Sequence, residues 1–450
     1  VTASVLSPAT GSTIGPDQVL ASLGRHILVD GFDLVLDLDA SAGVWMIDQR
    51  DGRRYLDMFT FFASSALGMN HPALTGDADF RATLGEVALS KVANSDVYTV
   101  EFARFVDTFA RVLGIPELPH LFFIEGGALA VENALKVAFD WKSRRNEAAG
   151  RSEQLGTKAM HLRHAFHGRT GYTLSLTNTE AVKTARFPKL DWPRIDSPAA
   201  HFPLSAHLAE VEAAEAAALA QARAAFQAHP HDIACFIAEP IQGEGGDRHL
   251  RPEFLQGMQA LCHEFDALLI MDEVQSGCGL TGTAWAHQQL GIEPDLVAFG
   301  KKTQVCGIMG GRRVELVPDN VFAVSSRINS TWGGNLTDMV RARRILEVIE
   351  ADGLIAGAAT LGEHLVGLLD GLTADFPALV SNVRGRGLMC AFTLPSGAVR
   401  DTIISRCRDE QSLMLLGCGP DAIRWRPALA VTAADLDEAV ARLRTVLASL

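Results

Sequence analysis

Short apolar runs separated by helix-length stretches dominate the chain from the sixties to about residue 340. His120-Leu-Phe-Phe-Ile124, Ala159-Met-His-Leu162, Ile233-Ala-Cys-Phe-Ile-Ala238, Leu268-Leu-Ile-Met271 and Leu296-Val-Ala-Phe299 are each bounded by polar or turn residues and predict buried strands. Between them, helical periodicity over 101–113, a helix opened by Gly126-Gly-Ala and an Ala/Glu-rich stretch at 208–226 predict helices. Strand and helix in alternation predict an α/β protein whose mainly parallel central sheet is covered on both faces.

The two ends have a different texture. Segments 34–36, 44–48 and 55–59, with a turn at Asp51-Gly52, predict a small antiparallel unit. Residues 1–16, with Ser, Thr, Gly and Pro, predict a mobile arm, and 17–23 a short helix. After Asn335 a long helical pattern leads to a final α+β segment. It holds strands at 387–392 and 423–426 and a closing helix from Thr432, where Thr432-Ala-Ala-Asp435 has capping-box form. Neither end is large enough for a core of its own, so the two are expected to pack together as one small α+β domain. The expected division is an N-terminal segment of that domain at 1–65, a large α/β domain at 66–339, and a C-terminal segment with its connecting helix at 340–450.

Composition narrows the partners. With 53 acidic against 40 basic residues the net charge is −13, which argues against a general nucleic-acid or anionic-membrane surface. Seven cysteines without a Cys-x-x-Cys pair predict reduced thiols in a cytoplasmic protein, with no metal site and no disulfide framework. No signal peptide and no apolar run long enough to cross a bilayer is evident.

Chemistry concentrates where the strands end. The run at 268–271 delivers Asp272, and the run at 296–299 is followed closely by Lys301. A carboxylate and an amine on the rim of one sheet meet the needs of pyridoxal phosphate, whose aldehyde condenses with an amine and whose ring nitrogen stays protonated beside an anion. Taken singly, a strand-end Asp usually caps a turn and a Lys is usually solvated. Gly127 and Ala128 open a helix after a strand, where backbone amides and the helix dipole favour a phosphate. Phe166 is placed to stack on an aromatic ring, and Arg169 to pair with a carboxylate. Glu239 and Glu244 stand in a Gly-rich loop, and Ser330 and Thr331 offer hydroxyl groups in another.

In their order and across nearly the whole chain, these segments resemble the class III, ornithine-type aminotransferases of pyridoxal-phosphate fold type I. The resemblance is carried by Gly126-Gly-Ala with Glu132-Asn-Ala-Leu-Lys136, Phe166-His-Gly-Arg169, Glu239-Pro-Ile-Gln-Gly-Glu-Gly245, Asp272-Glu-Val-Gln275, Gly300-Lys301 and Arg424-Trp-Arg-Pro427. It implies that Lys301 forms the Schiff base and shuttles protons, that Asp272 pairs with the pyridine nitrogen, that Gln275 reaches the ring hydroxyl and that Phe166 stacks on the ring. It also implies that Gly127 and Ala128 hold the phosphate, completed by Ser330 and Thr331 from the second subunit of a homodimer with shared active sites. Lys302 follows Lys301 directly, a departure from the family pattern; the resemblance favours Lys301, since adjacent strand residues point to opposite faces and only one can meet the ring.

The segments around Met69-Asn70, Lys301-Lys302-Thr-Gln-Val-Cys306 and Asn329 look most like the lysine-specific branch of this family. The implied substrates are L-lysine, reacting through its ε-amine, and 2-oxoglutarate, which leaves as L-glutamate. By the same resemblance Arg169 takes the distal carboxylate of either substrate and Arg424 the carboxylate beside glutamate's reacting carbon. With lysine bound Arg424 has no anion to meet, and Glu244 is expected to pair with it and swing aside for 2-oxoglutarate. An ornithine or 4-aminobutyrate aminotransferase shares the cofactor residues and differs in pocket length. An aminomutase on the same scaffold, which consumes no keto acid, and a non-catalytic binding protein are the readings from other classes.

Overall fold

A computed structural model describes residues 14–450; the arm expected at 1–16 falls almost wholly outside the described residues. The chain first forms a short antiparallel pair, β1 (Trp45–Ile47) and β2 (Arg54–Asp57), turned at Gly52 with φ of +75°. The strand expected at 34–36 is reduced to a single bridge between Leu36 and Asp48.

The central sheet is built from β3 (His120–Ile124), β4 (Lys158–Leu162), β5 (Arg194–Ile195) and β6 (Ile233–Ala238). Beyond a small hairpin of β7 (Ile241–Gln242) and β8 (Arg248–His249), it continues with β9 (Leu268–Asp272), β10 (Leu296–Phe299) and β11 (Cys306–Gly310). Its order is β3-β11-β10-β9-β6-β4-β5, and all pairs are parallel except the two that β11 makes. Successive side chains point to opposite faces. Leu269, Met271, Val297 and Phe299 therefore enter one core, while Leu268, Ile270, Leu296 and Ala298 enter the other. Helix Gly127–Ala148 covers the second face with Ala130, Ala134, Ala138 and Trp141.

β11 was not among the expected strands. Its glycines are required by packing: a Cβ on Gly307 would sit 2.3 Å from the Phe122 carbonyl oxygen and 2.7 Å from the Phe299 ring.

A second sheet follows, from β12 (Ser381–Arg386) and β13 (Met389–Thr393). β14 (Leu413–Met414) leaves it to pair in parallel with β2, while β15 (Leu416–Cys418) and β16 (Ala422–Trp425) complete the order β12-β13-β16-β15. The closing helix Ala433–Leu447 starts at the Thr432/Asp435 capping box. No described helix is long and apolar enough to cross a membrane.

Candidate active site

In an open α/β sheet the strand ends leave a crevice on the carboxyl side. Here the segments following β3, β4, β6, β9 and β10 converge on a cavity of about 530 Å³. It is lined by the expected Gly127, Ala128, Phe166, Arg169, Asp272, Gln275 and Lys301, joined by Ser64, His167, Glu239, Gln304 and Cys306.

At one end, Gly126 takes φ of +97° and turns the chain into helix Gly127–Ala148, presenting the first amides of the helix. A Cβ on Gly127 would lie 2.8 Å from the Val274 side chain, and one on Gly168 would lie 2.4 Å from the Ala128 Cβ. The backbone is thus drawn in close around this corner. At the back, Asp272 is the last residue of β9 and is buried. Its Oδ1 accepts from the Val274 amide at 3.1 Å, and its Oδ2 meets His167 Nδ1 at 2.7 Å. Burial works against a charged His167, but the hydrogen bond and the charge of Asp272 prevail and raise its pKa above the usual imidazole value. Glu239 braces two loops, accepting from the Phe166 amide at 2.9 Å and the Gly243 amide at 3.1 Å. Its pKa is pushed up to about 7, chiefly by burial.

Lys301 and Lys302 both lie in a turn, which corrects the strand argument for telling them apart. β10 ends at Phe299, and Lys301–Thr303 is a 3₁₀ turn in which Lys301 has φ of +53°. Lys301 lines the cavity. Burial and the Arg424 cation lower its pKa, opposed by Asp272, Glu239 and Glu244, so the amine deprotonates more readily than an ordinary lysine. Lys302 turns away and is buried, its Nζ donating to the Ala63 carbonyl at 2.7 Å. That carbonyl closes four consecutive left-handed residues, Thr60 to Ala63, with φ of 44°, 51°, 60° and 70° and no glycine among them. Each such residue costs about 1–2 kcal/mol, and the turn is held by bonds at both ends. Asp57 accepts from the Thr60 amide at 2.9 Å, and Gln304 Nε2 donates to the Ser64 carbonyl at 2.8 Å.

Burial lowers the Lys302 pKa to about 7, well under the usual lysine value of about 10.4. Below pH 7 folding must bury a charged amine; between about pH 7 and 10.4 the unfolded chain binds more protons, and this group's contribution to stability rises with pH. Lys302→Met is expected to flatten the denaturant-measured stability profile over that window. An unchanged slope would mean that the amine is not desolvated.

Arg424 and Glu244 lie near enough to Lys301 for their charges to act on it, though neither lines the cavity. Arg424 on β16 is buried, and its Nη2 pairs with Glu244 Oε2 at 2.9 Å. The Phe62 ring, carried by the left-handed turn, lies 5.6 Å from the Arg424 Cζ. Burial alone would raise the Glu244 pKa, but Arg424 and Lys183 hold it below the usual value. Gln275 Oε1 accepts from Arg426 Nε at 3.1 Å and Nη2 at 3.0 Å, and Arg426 is itself paired with the buried Asp247. Arg169 stands on the exposed side of the cavity. Ser330 and Thr331 are not brought to it. Their carbonyls accept from Ser95 Oγ at 2.9 and 3.1 Å, and Thr331 is exposed.

Sequence reasoning gave no role to His167, Lys183, Asp247 or Arg426, and it entered Lys302 only as a rival amine. His167 and Arg426 sit inside quoted motifs, one residue from Phe166 and two from Arg424. Lys183 lies in a stretch without any motif.

A fold with its carboxylate, amine and helix terminus gathered at the strand ends defines a class, and the sequence agrees: residues 30–447 match the aminotransferase class-III family, to which this chain belongs. Among its relatives, L-lysine-epsilon aminotransferase of Mycobacterium tuberculosis is 64% identical, covering 97% of each chain. The enzyme of the same name from Amycolatopsis lactamdurans is 56% identical over 98% of each. A solved lysine aminotransferase from M. tuberculosis, in the internal aldimine form, superposes with a TM-score of 0.95 at 65% identity, covering 96% of this chain and 99% of that one.

Class-III aminotransferases depend on pyridoxal phosphate. The residues present fit it. The tightly drawn corner at Gly127 and Ala128 suits the phosphate, Asp272 the pyridine nitrogen, Phe166 a ring face and Lys301 the aldehyde.

Proposed function

We propose that this protein transfers the ε-amino group of L-lysine to 2-oxoglutarate, yielding 2-aminoadipate 6-semialdehyde and L-glutamate. The observation that carries the reading is the Glu244–Arg424 pair at 2.9 Å, close enough for both charges to act on Lys301, together with near full-length similarity to L-lysine-epsilon aminotransferases.

Pyridoxal phosphate, when bound, supplies the aldehyde that takes up amines and the ring that withdraws electrons from the reacting carbon. The chain supplies the rest. Lys301 Nζ, its pKa lowered by burial, takes the proton from lysine's ε-carbon. Asp272, oriented by His167 and the Val274 amide, keeps a negative charge against the ring nitrogen. Gln275, fixed by Arg426, offers its amide toward the ring hydroxyl.

Arg169 receives the far carboxylate of either substrate. Lysine has no carboxylate beside its reacting carbon, so Glu244 occupies Arg424 while lysine reacts, and yields to the α-carboxylate of 2-oxoglutarate. Glu244→Ala would leave a buried guanidinium unpaired whenever lysine is bound, a cost of several kcal/mol. The ratio of lysine to glutamate turnover is therefore expected to fall by at least about tenfold. An unchanged ratio would remove the switch from the mechanism.

The protein is further read as a cytoplasmic homodimer, its cysteines all unpaired among the described residues. In that dimer Ser330 and Thr331, remote from their own chain's cavity, would complete the phosphate site of the partner. A donor panel of lysine, ornithine and 4-aminobutyrate, each with 2-oxoglutarate and with products identified, tests the assignment. Lysine should give the highest kcat/KM; preference for either other donor overturns it, and turnover without 2-oxoglutarate would indicate an aminomutase.

A further inference from the structure

Glu244 does not rest on Arg424 alone. Its two carboxylate oxygens are divided between two cations: Oε2 accepts from Arg424, and Oε1 accepts from Lys183 Nζ. Lys183 belongs to the short helix Ala181–Thr184. Its Nζ also donates to Glu180 Oε1 at 2.9 Å and lies 5.6 Å from the centre of the Phe166 ring. The lysine side chain is 16% exposed and Glu244 23%, whereas Arg424 is only 3% exposed. The three groups thus form a connected chain, a buried guanidinium at one end and a partly exposed carboxylate and amine beyond it.

This arrangement bears on what opening the pair costs. A carboxylate leaving Arg424 inside a half-buried cavity loses its strongest partner and regains little water. If it keeps a second cation through the movement, that loss is largely offset. The movement belongs to the Glu244 side chain, since the loop backbone is packed closely: a Cβ on Gly243 would lie 2.6 Å from Gln275 Oε1 and one on Gly245 2.1 Å from the His164 carbonyl oxygen.

We propose that Lys183 is a positioning residue that retains Glu244 when it releases Arg424, and so sets the balance between the amine-donor and keto-acid half-reactions. The proposal rests on the Glu244–Arg424 switch of the preceding reading and adds to it the place where the released carboxylate goes. Lys183 acts on the acceptor side: without it, Glu244 has Arg424 as its one strong partner and gives way less readily to an incoming α-carboxylate.

The test uses the cofactor-loaded protein with Lys183→Met. The KM for 2-oxoglutarate and the dissociation constant of glutarate, an unreactive dicarboxylate measured by calorimetry, should each rise about 5–10-fold. The single-turnover rate with lysine should stay within about twofold of the parent. Lys183→Arg should restore acceptor affinity, and in a Glu244→Gln background Lys183→Met should add nothing further.

Unchanged acceptor affinity in Lys183→Met, or an equal loss in both half-reactions that arginine does not rescue, overturns the proposal. The two layers separate through Glu244→Ala. If that change shifts the donor-to-acceptor ratio and Lys183→Met does not, Lys183 alone has been misassigned. If Glu244→Ala itself shifts nothing, the switch and the role of Lys183 fall together.

Discussion

Replacing Lys301 with alanine should lower kcat by about 10²–10⁴-fold, the range that a positioned proton-transfer group supplies. Among the described residues that line the cavity, Lys301 alone carries an amine. Its neighbour Lys302 is buried elsewhere, spent on the Ala63 carbonyl. The adjacent amine is therefore not expected to substitute for it. Borohydride reduction of the cofactor-loaded parent should fix the cofactor on Lys301, located by peptide mass, and the alanine variant should carry no such tag. Recovery of a tag on Lys302, or more than a tenth of the parent kcat in Lys301→Ala, would overturn the assignment. Lys302→Met makes the complementary case: it keeps the Lys301 amine and should alter the pH profile of stability far more than turnover.

What could be read from sequence was whatever leaves a local pattern. β6, β9 and β10 are buried on both faces, and such strands appear as unbroken apolar runs. Their ends then mark the rim where Asp272 and Lys301 stand. β11 left no such run, because neighbouring rings and carbonyls demand glycine at positions where a strand normally shows side chains. The left-handed turn at Thr60 to Ala63 was hidden for the opposite reason. No glycine announces it, since its conformation is imposed by distant partners such as Lys302 and Gln304.

The same distinction runs through the site. Arg424 and Glu244 were foreseen through the motifs that contain them. The way Lys183 completes their pairing, and the way Arg426 fixes Gln275, depend on contacts between residues 61 and 151 positions apart. No local spacing encodes such contacts. Lys301 and Lys302 diverge as expected but by another local geometry: both lie in a 3₁₀ turn, not on an alternating strand.

The second large effect is expected at Asp272. Asparagine has nearly the same shape, and its Oδ1 can still accept from the Val274 amide that holds Asp272 at 3.1 Å. What it loses is the negative charge. Interactions aimed at charge that develops in the transition state are worth about 10²–10³-fold in kcat, and Asp272→Asn should fall in that range with the cofactor still bound. The change reaches His167 as well. Hydrogen bonding to Asp272 and its charge are what lift the His167 pKa against burial, so in the variant burial prevails and the imidazole stays neutral. His167 acts through Asp272, and His167→Gln should therefore cost less than Asp272→Asn. The two substitutions combined should cost little more than Asp272→Asn alone, the non-additivity expected of residues in one hydrogen-bonded network. A loss under tenfold at Asp272 with full cofactor occupancy would show that the ring nitrogen does not depend on this carboxylate. Full additivity in the double variant would give His167 a role of its own, since the charge that reaches the ring would then not pass through the Asp272–His167 bond alone.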